Sequence, residues 1–216
     1  MNKTDLKLYA ITDRQWLHGA RLSEHVKLAI EGGATMIQIR DKDILSTDSD
    51  AGLNDEYQEA LEIKRICHEH NVPLIINDNV QFAIDIDADG VHLGQDDMNP
   101  AEARKLIGTD KIIGVTAKTV EQAKRAEADG ADYLGSGAVF GSTTKLNAKP
   151  MTKELLREIT AAVDIPVVAI GGINADNAAT LKGTGIAGIA VVGAIFASAD
   201  IKAAAKELAE ICDKML

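Results

Sequence analysis

Met36-Ile37-Gln38-Ile39-Arg40-Asp41-Lys42 is an apolar run that ends in alternating charge, and the pattern returns twice. Leu74-Ile75-Ile76 leads into Asn77-Asp78, and Val91-His92-Leu93 leads into Gln95-Asp96-Asp97. Runs this apolar belong in a buried parallel sheet, so the polar groups at their carboxyl ends gather on one rim. Working outward, further short apolar runs give strands at Leu8 to Thr12, Ile112 to Val115, Tyr133 to Ser136, Pro166 to Ile170 and Ala187 to Val192. The three central strands are Met36 to Arg40, Leu74 to Asn77 and Gly90 to Leu93. Between them lie amphipathic stretches, among them Leu22 to Glu31, Asp55 to His70, Val120 to Asp129 and Lys153 to Ala162, with Ala203 to Met215 closing the chain. Thr119-Val120-Glu121-Gln122 has the form of a capping box, and Thr152 is a second N-cap. Strand alternating with helix eight times predicts an α/β fold, a (β/α)8 TIM barrel occupying residues 1–216 as a single domain.

Composition agrees with a compact enzyme. At 216 residues and 46% hydrophobic residues the chain can bury one large core. No run approaches the ~20 apolar residues needed to span a bilayer. Met1-Asn2-Lys3-Thr4-Asp5 opens straight toward a strand with no apolar signal region, so a cytoplasmic location is expected. Cys67 and Cys212 lack metal or CxxC spacing and read as free thiols. The net charge of −10, with no basic run to offset it, argues against nucleic acid or an anionic membrane as partner. Small anionic substrates would then need a local cationic pocket; assembly into a homo-oligomer is left open.

In such a barrel the chemistry sits at the carboxyl ends of the strands. Side chains alternate along a strand, so Gln38, Arg40 and Lys42 point into the mouth together while Ile37 and Ile39 face the helices. Asn77, Asp78 and Asp97 supply hard oxygen atoms of the kind magnesium takes, one or two carboxylates with water and phosphate oxygens completing the octahedron. Cations beside paired carboxylates point to a magnesium-bridged polyphosphate. Asn79 and Asp96 read as cap or turn residues, and His92 as a structural histidine within its strand. His18, His25, His68 and His70 carry no role. The loop Phe140-Gly141-Ser142-Thr143-Thr144-Lys145 joins hydroxyls, a glycine and a lysine into an anion cradle. Gly171-Gly172 and Gly193, each before an expected helix start at Asn174 or Ala194, mark the loops where barrels often bind phosphate. The acidic stretch from Asp43 to Asp55 reads as a mobile loop over the mouth. Two anion sites, one metal-assisted and one backbone-built, predict a two-substrate transferase.

The set Gln38-Ile-Arg-Asp-Lys42, Asn77-Asp78, Gly90-Val-His-Leu-Gly-Gln-Asp-Asp97, Gly114-Val-Thr116, Thr144-Lys145 and Ile170-Gly-Gly-Ile173 resembles the thiamine-phosphate synthase family over nearly the whole chain. The resemblance implies that a hydroxymethylpyrimidine diphosphate and a thiazole phosphate condense to thiamine monophosphate and diphosphate, with Mg2+ as cofactor. It implies that Gln38, Ile39, Arg40, Asp41, Lys42 and Asn77 hold the pyrimidine diphosphate, that Asp78 and Asp97 hold magnesium, and that Thr116 stands where the family usually has Ser. Ser142, Thr143 and Thr144 would contact the thiazole phosphate, Lys145 the diphosphate, and Gly172, Val192 and Gly193 would close the thiazole phosphate site. Arg40, Lys42, Lys145 and Thr116 are the implied catalytic set. Gly141-Ser142 replaces the more usual Pro-Thr, and the Asp43 to Asp55 loop is longer than typical. A related thiazole tautomerase would need only the late phosphate site, and a silent phosphometabolite-binding barrel would bind without turnover. A phosphosugar isomerase would need a Glu/His acid and base at strand ends, which the chain does not offer.

Overall fold

The computed structural model describes residues 2–40, 55–141 and 150–216. Eight parallel strands, β1 Leu8–Ile11, β2 Met36–Ile39, β3 Leu74–Asn77, β4 Gly90–Leu93, β5 Ile112–Thr116, β6 Tyr133–Gly137, β7 Val167–Ile170 and β8 Gly188–Val191, close into a barrel in chain order. The ring is sealed by β1 against β8, with Leu8 opposite Ile189. Around it run α1 Leu22–Glu31, α2 Asp55–Glu69, α3 Val80–Asp85, α4 Pro100–Ile107, α5 Val120–Ala128, α6 Lys153–Ala161, α7 Gly193–Phe196 and α8 Ile201–Met215.

The expected strands appear within a residue or so of their predicted limits, because each apolar run has two buried faces to fill. One set of alternating positions packs outward: Leu8, Ala10, Ile37, Ile39, Leu74, Ile76, Val91 and Leu93 join helix residues such as Val26, Ile63, Phe82 and Leu208. The other set, Tyr9, Met36, Ile75, Ile112, Tyr133, Val168 and Ala190, fills the barrel itself. Polar side chains standing just before strands pin the lower end of the ring. The Leu8 N–H donates to Thr35 Oγ1 at 2.9 Å, the Leu74 N–H to Asp89 Oδ2 at 2.8 Å and the Ile113 N–H to Asp132 Oδ2 at 2.7 Å. Each bond gives a partner to an N–H at the sheet's entry.

Three local expectations change. The chain reaches β1 through a 3-10 turn, Lys3–Leu6, whose Leu6 is fully buried and plugs the floor of the barrel. No α-helix begins at Asn174; its Oδ1 accepts the N–H groups of Asp176 and Asn177 at 3.0 and 3.2 Å, and a single 3-10 turn, Ala178–Leu181, is all that follows. Gly183 and Gly185, at φ of 77° and 80°, end that turn. At α5 the Gln122 N–H donates to Thr119 Oγ1 at 3.2 Å, but Gln122 Oε1 accepts the N–H of Lys118 instead of that of Thr119. Thr152 caps α6 through the Leu155 N–H as expected, and Asn79 caps α3 through the Phe82 N–H.

Glu59 is a buried carboxylate whose partners account for its position. Its Oε1 accepts the Leu22 N–H at 2.7 Å at the start of α1, and its Oε2 lies 2.9 Å from Arg14. This ties α2 to the amino end of α1, where negative charge is favoured. Cys67 and Cys212 are both free and buried, and burial pushes their thiols up to about 12 and about 11. They serve as small core residues. Among the described residues no helix is long and apolar enough to cross a membrane.

Candidate active site

A cavity of about 470 Å³ opens at the carboxyl ends of the strands. Its early side is made by Gln38 and Arg40 from β2 and the residue after it, Asn77 from β3, His92 from β4, and Thr116 and Lys118 from β5 and its loop. Its late side is made by the backbone-rich loops after β7 and β8, with Gly171, Gly172, Asn174, Val192, Gly193 and Ala194. Tyr9, Ile11, Val168 and Ala190 form the floor.

Arg40 is placed by a short relay between strand ends. The Thr12 N–H donates to the Gln38 carbonyl at 2.9 Å, and the Arg40 N–H donates back to Thr12 Oγ1 at 3.1 Å. Thr12 is fully buried, so the bond holds the guanidinium stem where β2 leaves the barrel. Gln38 is only 2% exposed and reaches the cavity from below. Ile39, which only the resemblance put in the ligand set, packs its side chain outward among the helices, as its place in the alternation requires. Thr116 ends β5, its carbonyl accepting from Gln95 Nε2 at 2.6 Å, while Gln95 Oε1 in turn accepts from Arg125 at 3.3 Å.

Asp78 and Asp97 stand on the loops after neighbouring strands, outside the cavity lining. Asn77 Nδ2 donates to Asp78 Oδ2 at 2.6 Å, and the Asp78 N–H donates to the His92 carbonyl at 2.8 Å, with Asp78 at φ 63°. Aspartate is among the few side chains that tolerate this left-handed region. Asp97 Oδ2 accepts the Gly94 N–H at 2.6 Å. Among the described residues no group of three His, Cys, Asp or Glu side chains could hold a metal. A donor set limited to carboxylates on two adjacent strand ends suits magnesium shared with water and phosphate, and does not suit an all-protein cage.

The late loops owe their shape to Gly171 and Gly172, at φ of 101° and 65°. A Cβ on Gly172 would lie 2.6 Å from the Phe140 carbonyl oxygen, so this loop packs directly on the one after β6. Asp41, Lys42, Ser142, Thr143, Thr144 and Lys145 lie outside the described residues, as does the stretch from 43 to 54.

Sequence reading missed three groups. Tyr9 and Lys118 line the cavity, and His92, set aside as structural, does so too. Alternation puts Tyr9, between outward Leu8 and Ala10, and His92, between outward Val91 and Leu93, on the barrel's inner face, whereas Lys118 lies past the end of β5 where no strand parity applies.

A family model for thiamine monophosphate synthase matches residues 8–195. The thiamine-phosphate synthase of Ruminiclostridium cellulolyticum is 50% identical over 210 residues, covering 97% of each chain. That of Clostridium beijerinckii is 48% identical over 206 residues, 95% of each. A solved thiamine phosphate pyrophosphorylase from Pyrococcus furiosus superposes with a TM-score of 0.87 at 40% identity, covering 99% of this chain and 98% of its own.

Proposed function

This chain belongs to the thiamine monophosphate synthase family and is an enzyme of that activity, and we propose that its barrel mouth joins 4-amino-2-methyl-5-(diphosphooxymethyl)pyrimidine to 4-methyl-5-(2-phosphooxyethyl)thiazole. The products are thiamine monophosphate and diphosphate. The observation that carries the reading is that one cavity touches both sets of ligands: Gln38, Arg40, Asn77 and Thr116 on one side, Gly172, Val192 and Gly193 on the other. Two substrates bound in one such space meet without a further encounter step.

The thiazole nitrogen already carries a lone pair, so no general base is required. The slow event is cleavage of the C–O bond to diphosphate, with the ring donating electrons to the methylene carbon. Catalysis is then stabilisation of departing negative charge. Arg40, Lys42 and Lys145 supply positive charge to the diphosphate, Thr116 and Gln38 orient the pyrimidine, and Asn77 holds the diphosphate. Ser142, Thr143, Thr144 and the backbone at Gly172, Val192 and Gly193 receive the thiazole phosphate. Asp78 and Asp97 would hold Mg2+, which supplies neutralisation of the leaving diphosphate when bound.

The direct test mixes purified protein with Mg2+ and both substrates and follows thiamine monophosphate and diphosphate together. Equal, magnesium-dependent appearance of both is expected; absence of both rejects the reading. Electron-withdrawing groups on the pyrimidine are expected to slow single turnover steeply, and a flat response would remove the cation-like transition state. Asp78→Ala is expected to raise the magnesium concentration needed for half-maximal rate by roughly tenfold, a loss typical of weakened metal ligation. A superimposable magnesium titration would contradict the metal role.

A further inference from the structure

Beneath the mouth, five side chains from five strands touch in succession. Gln38 Nε2 donates to the Tyr9 hydroxyl at 2.5 Å, and the Tyr9 and Tyr133 hydroxyls are 2.8 Å apart. The Tyr133 hydroxyl lies 3.0 Å from His92 Nδ1, and His92 Nε2 lies 3.0 Å from Thr116 Oγ1. In the middle of the chain Tyr9 and Tyr133 are buried, exposed by only 1% and 0%. Burial pushes both phenols far above their ordinary range, so they keep their hydrogens. Glycine makes the room: a Cβ on Gly114 would lie 2.1 Å from Tyr133 Cζ, and one on Gly135 would lie 3.1 Å from His92 Cε1.

A phenol has one hydrogen to give, and a neutral imidazole donates from one nitrogen and accepts at the other. Linked in series, such groups satisfy one another only when all hydrogens point the same way. In the forward sense Gln38 donates to Tyr9, Tyr9 to Tyr133, Tyr133 to His92 Nδ1, and His92 Nε2–H to Thr116. The cavity then sees the Gln38 carbonyl as acceptor and the Thr116 hydroxyl as donor. In the reverse sense it sees the Gln38 amide NH2 and only lone pairs at Thr116. A defect in the middle would set two buried hydrogens, or two lone-pair sets, against each other.

We propose that Gln38 and Thr116 are the two ends of one directional hydrogen-bond chain running through Tyr9, Tyr133 and His92, set in the forward sense by the Gln38 amide NH2 that faces Tyr9, and that this direction selects an aminopyrimidine. The 4-amino ring edge offers an N–H donor beside an accepting ring nitrogen, which matches an acceptor at Gln38 and a donor at Thr116. The 4-oxo analogue in its lactam form offers the opposite pair. The specificity claim rests on the reading that these two residues face the pyrimidine; Tyr9, Tyr133 and His92 are positioning residues.

The test is 15N NMR of the imidazole nitrogens in histidine-labelled enzyme without substrate, at pH 8, with the His92 signals identified by their loss in His92→Gln. The unmodified enzyme is expected to hold His92 as the Nε2–H tautomer. Gln38→Glu, whose carboxylate can only accept, is expected to turn the chain around and move the proton to Nδ1, although position 38 does not touch His92. In a Tyr133→Phe background the same substitution is expected to leave His92 unchanged. An Nδ1–H tautomer in the unmodified enzyme, an unaltered tautomer in Gln38→Glu, or a switch that survives Tyr133→Phe overturns the chain. Tyr133→Phe alone is also expected to cut the preference for the amino over the oxo pyrimidine diphosphate at least tenfold, with the thiazole phosphate KM unmoved. An unchanged preference overturns the specificity claim. If the unmodified enzyme makes no thiamine monophosphate, the functional reading fails while the tautomer measurements still decide the chain.

Discussion

Arg40→Ala is expected to lower kcat/KM for the condensation by roughly a hundredfold or more, with the fold intact. Removing one preorganised group from developing charge typically costs about 2.7 to 4 kcal/mol. Arg40 suits that role because its backbone is fixed by the buried Thr12 hydroxyl and its side chain lines the cavity beside Asn77. The guanidinium also offers paired donors to a phosphate oxygen pair, so Arg40→Lys should recover only part of the loss. Steady-state kinetics with each substrate varied in turn would show the defect, and Lys145→Ala should behave alike. A loss below tenfold in both variants would remove these cations from the catalytic set. The melting temperature of Arg40→Ala should stay within a few degrees of the parent, since the side chain is not part of the packed core.

Gly188→Ala should do the reverse, leaving the chemistry in place and weakening the fold. A Cβ at this position would lie 1.8 Å from the Leu6 carbonyl oxygen and 2.7 Å from that of Lys7. Both are backbone atoms, of the turn that plugs the barrel floor and of the residue that follows it, so no rotamer change relieves the clash. Overpacking of a close-packed core costs typically 1–3 kcal/mol, and the rigidity of this contact places the expected loss at about 3 kcal/mol. For a chain of this size that corresponds to a fall in Tm of roughly 6–12 °C. Thermal unfolding followed by circular dichroism would measure it. An unchanged Tm would mean that the turn and the sheet slide apart freely, and that Leu6 is not a fixed plug.

The strands were legible because each has two apolar faces, and the early half of the mouth was legible because β2 to β4 end in charge. Gln38 and Arg40 against Ile37 and Ile39 followed from alternation alone. Ile39 entered the expected ligand set only through its neighbours in the motif, and its own parity argued otherwise. Tyr9 and Tyr133 were hidden for a different reason. An aromatic in an apolar strand reads as core, and only the closing of the ring brings their hydroxyls to Gln38 and His92. The segment after β7 was misread as helix because its side chains permit one, whereas two positive-φ glycines and a turn built on Asn174 use up its length. The polar rim residues Asp78 and Asp97 have local backbone partners that no spacing rule reveals, which is why turn and ligand readings look alike in sequence.

The pairing of Leu8 with Ile189 has a consequence for how the molecule comes into being. The first strand cannot satisfy one of its edges until the eighth has been synthesised. At roughly 5–20 residues per second, a nascent chain of this length spends on the order of ten to forty seconds with an open parallel edge. Contacts so distant along the chain also slow closure itself. Until the ring shuts, β1 is a template for any strand that passes, and the pairing that completes the native sheet is also the step that ends its exposure to wrong partners.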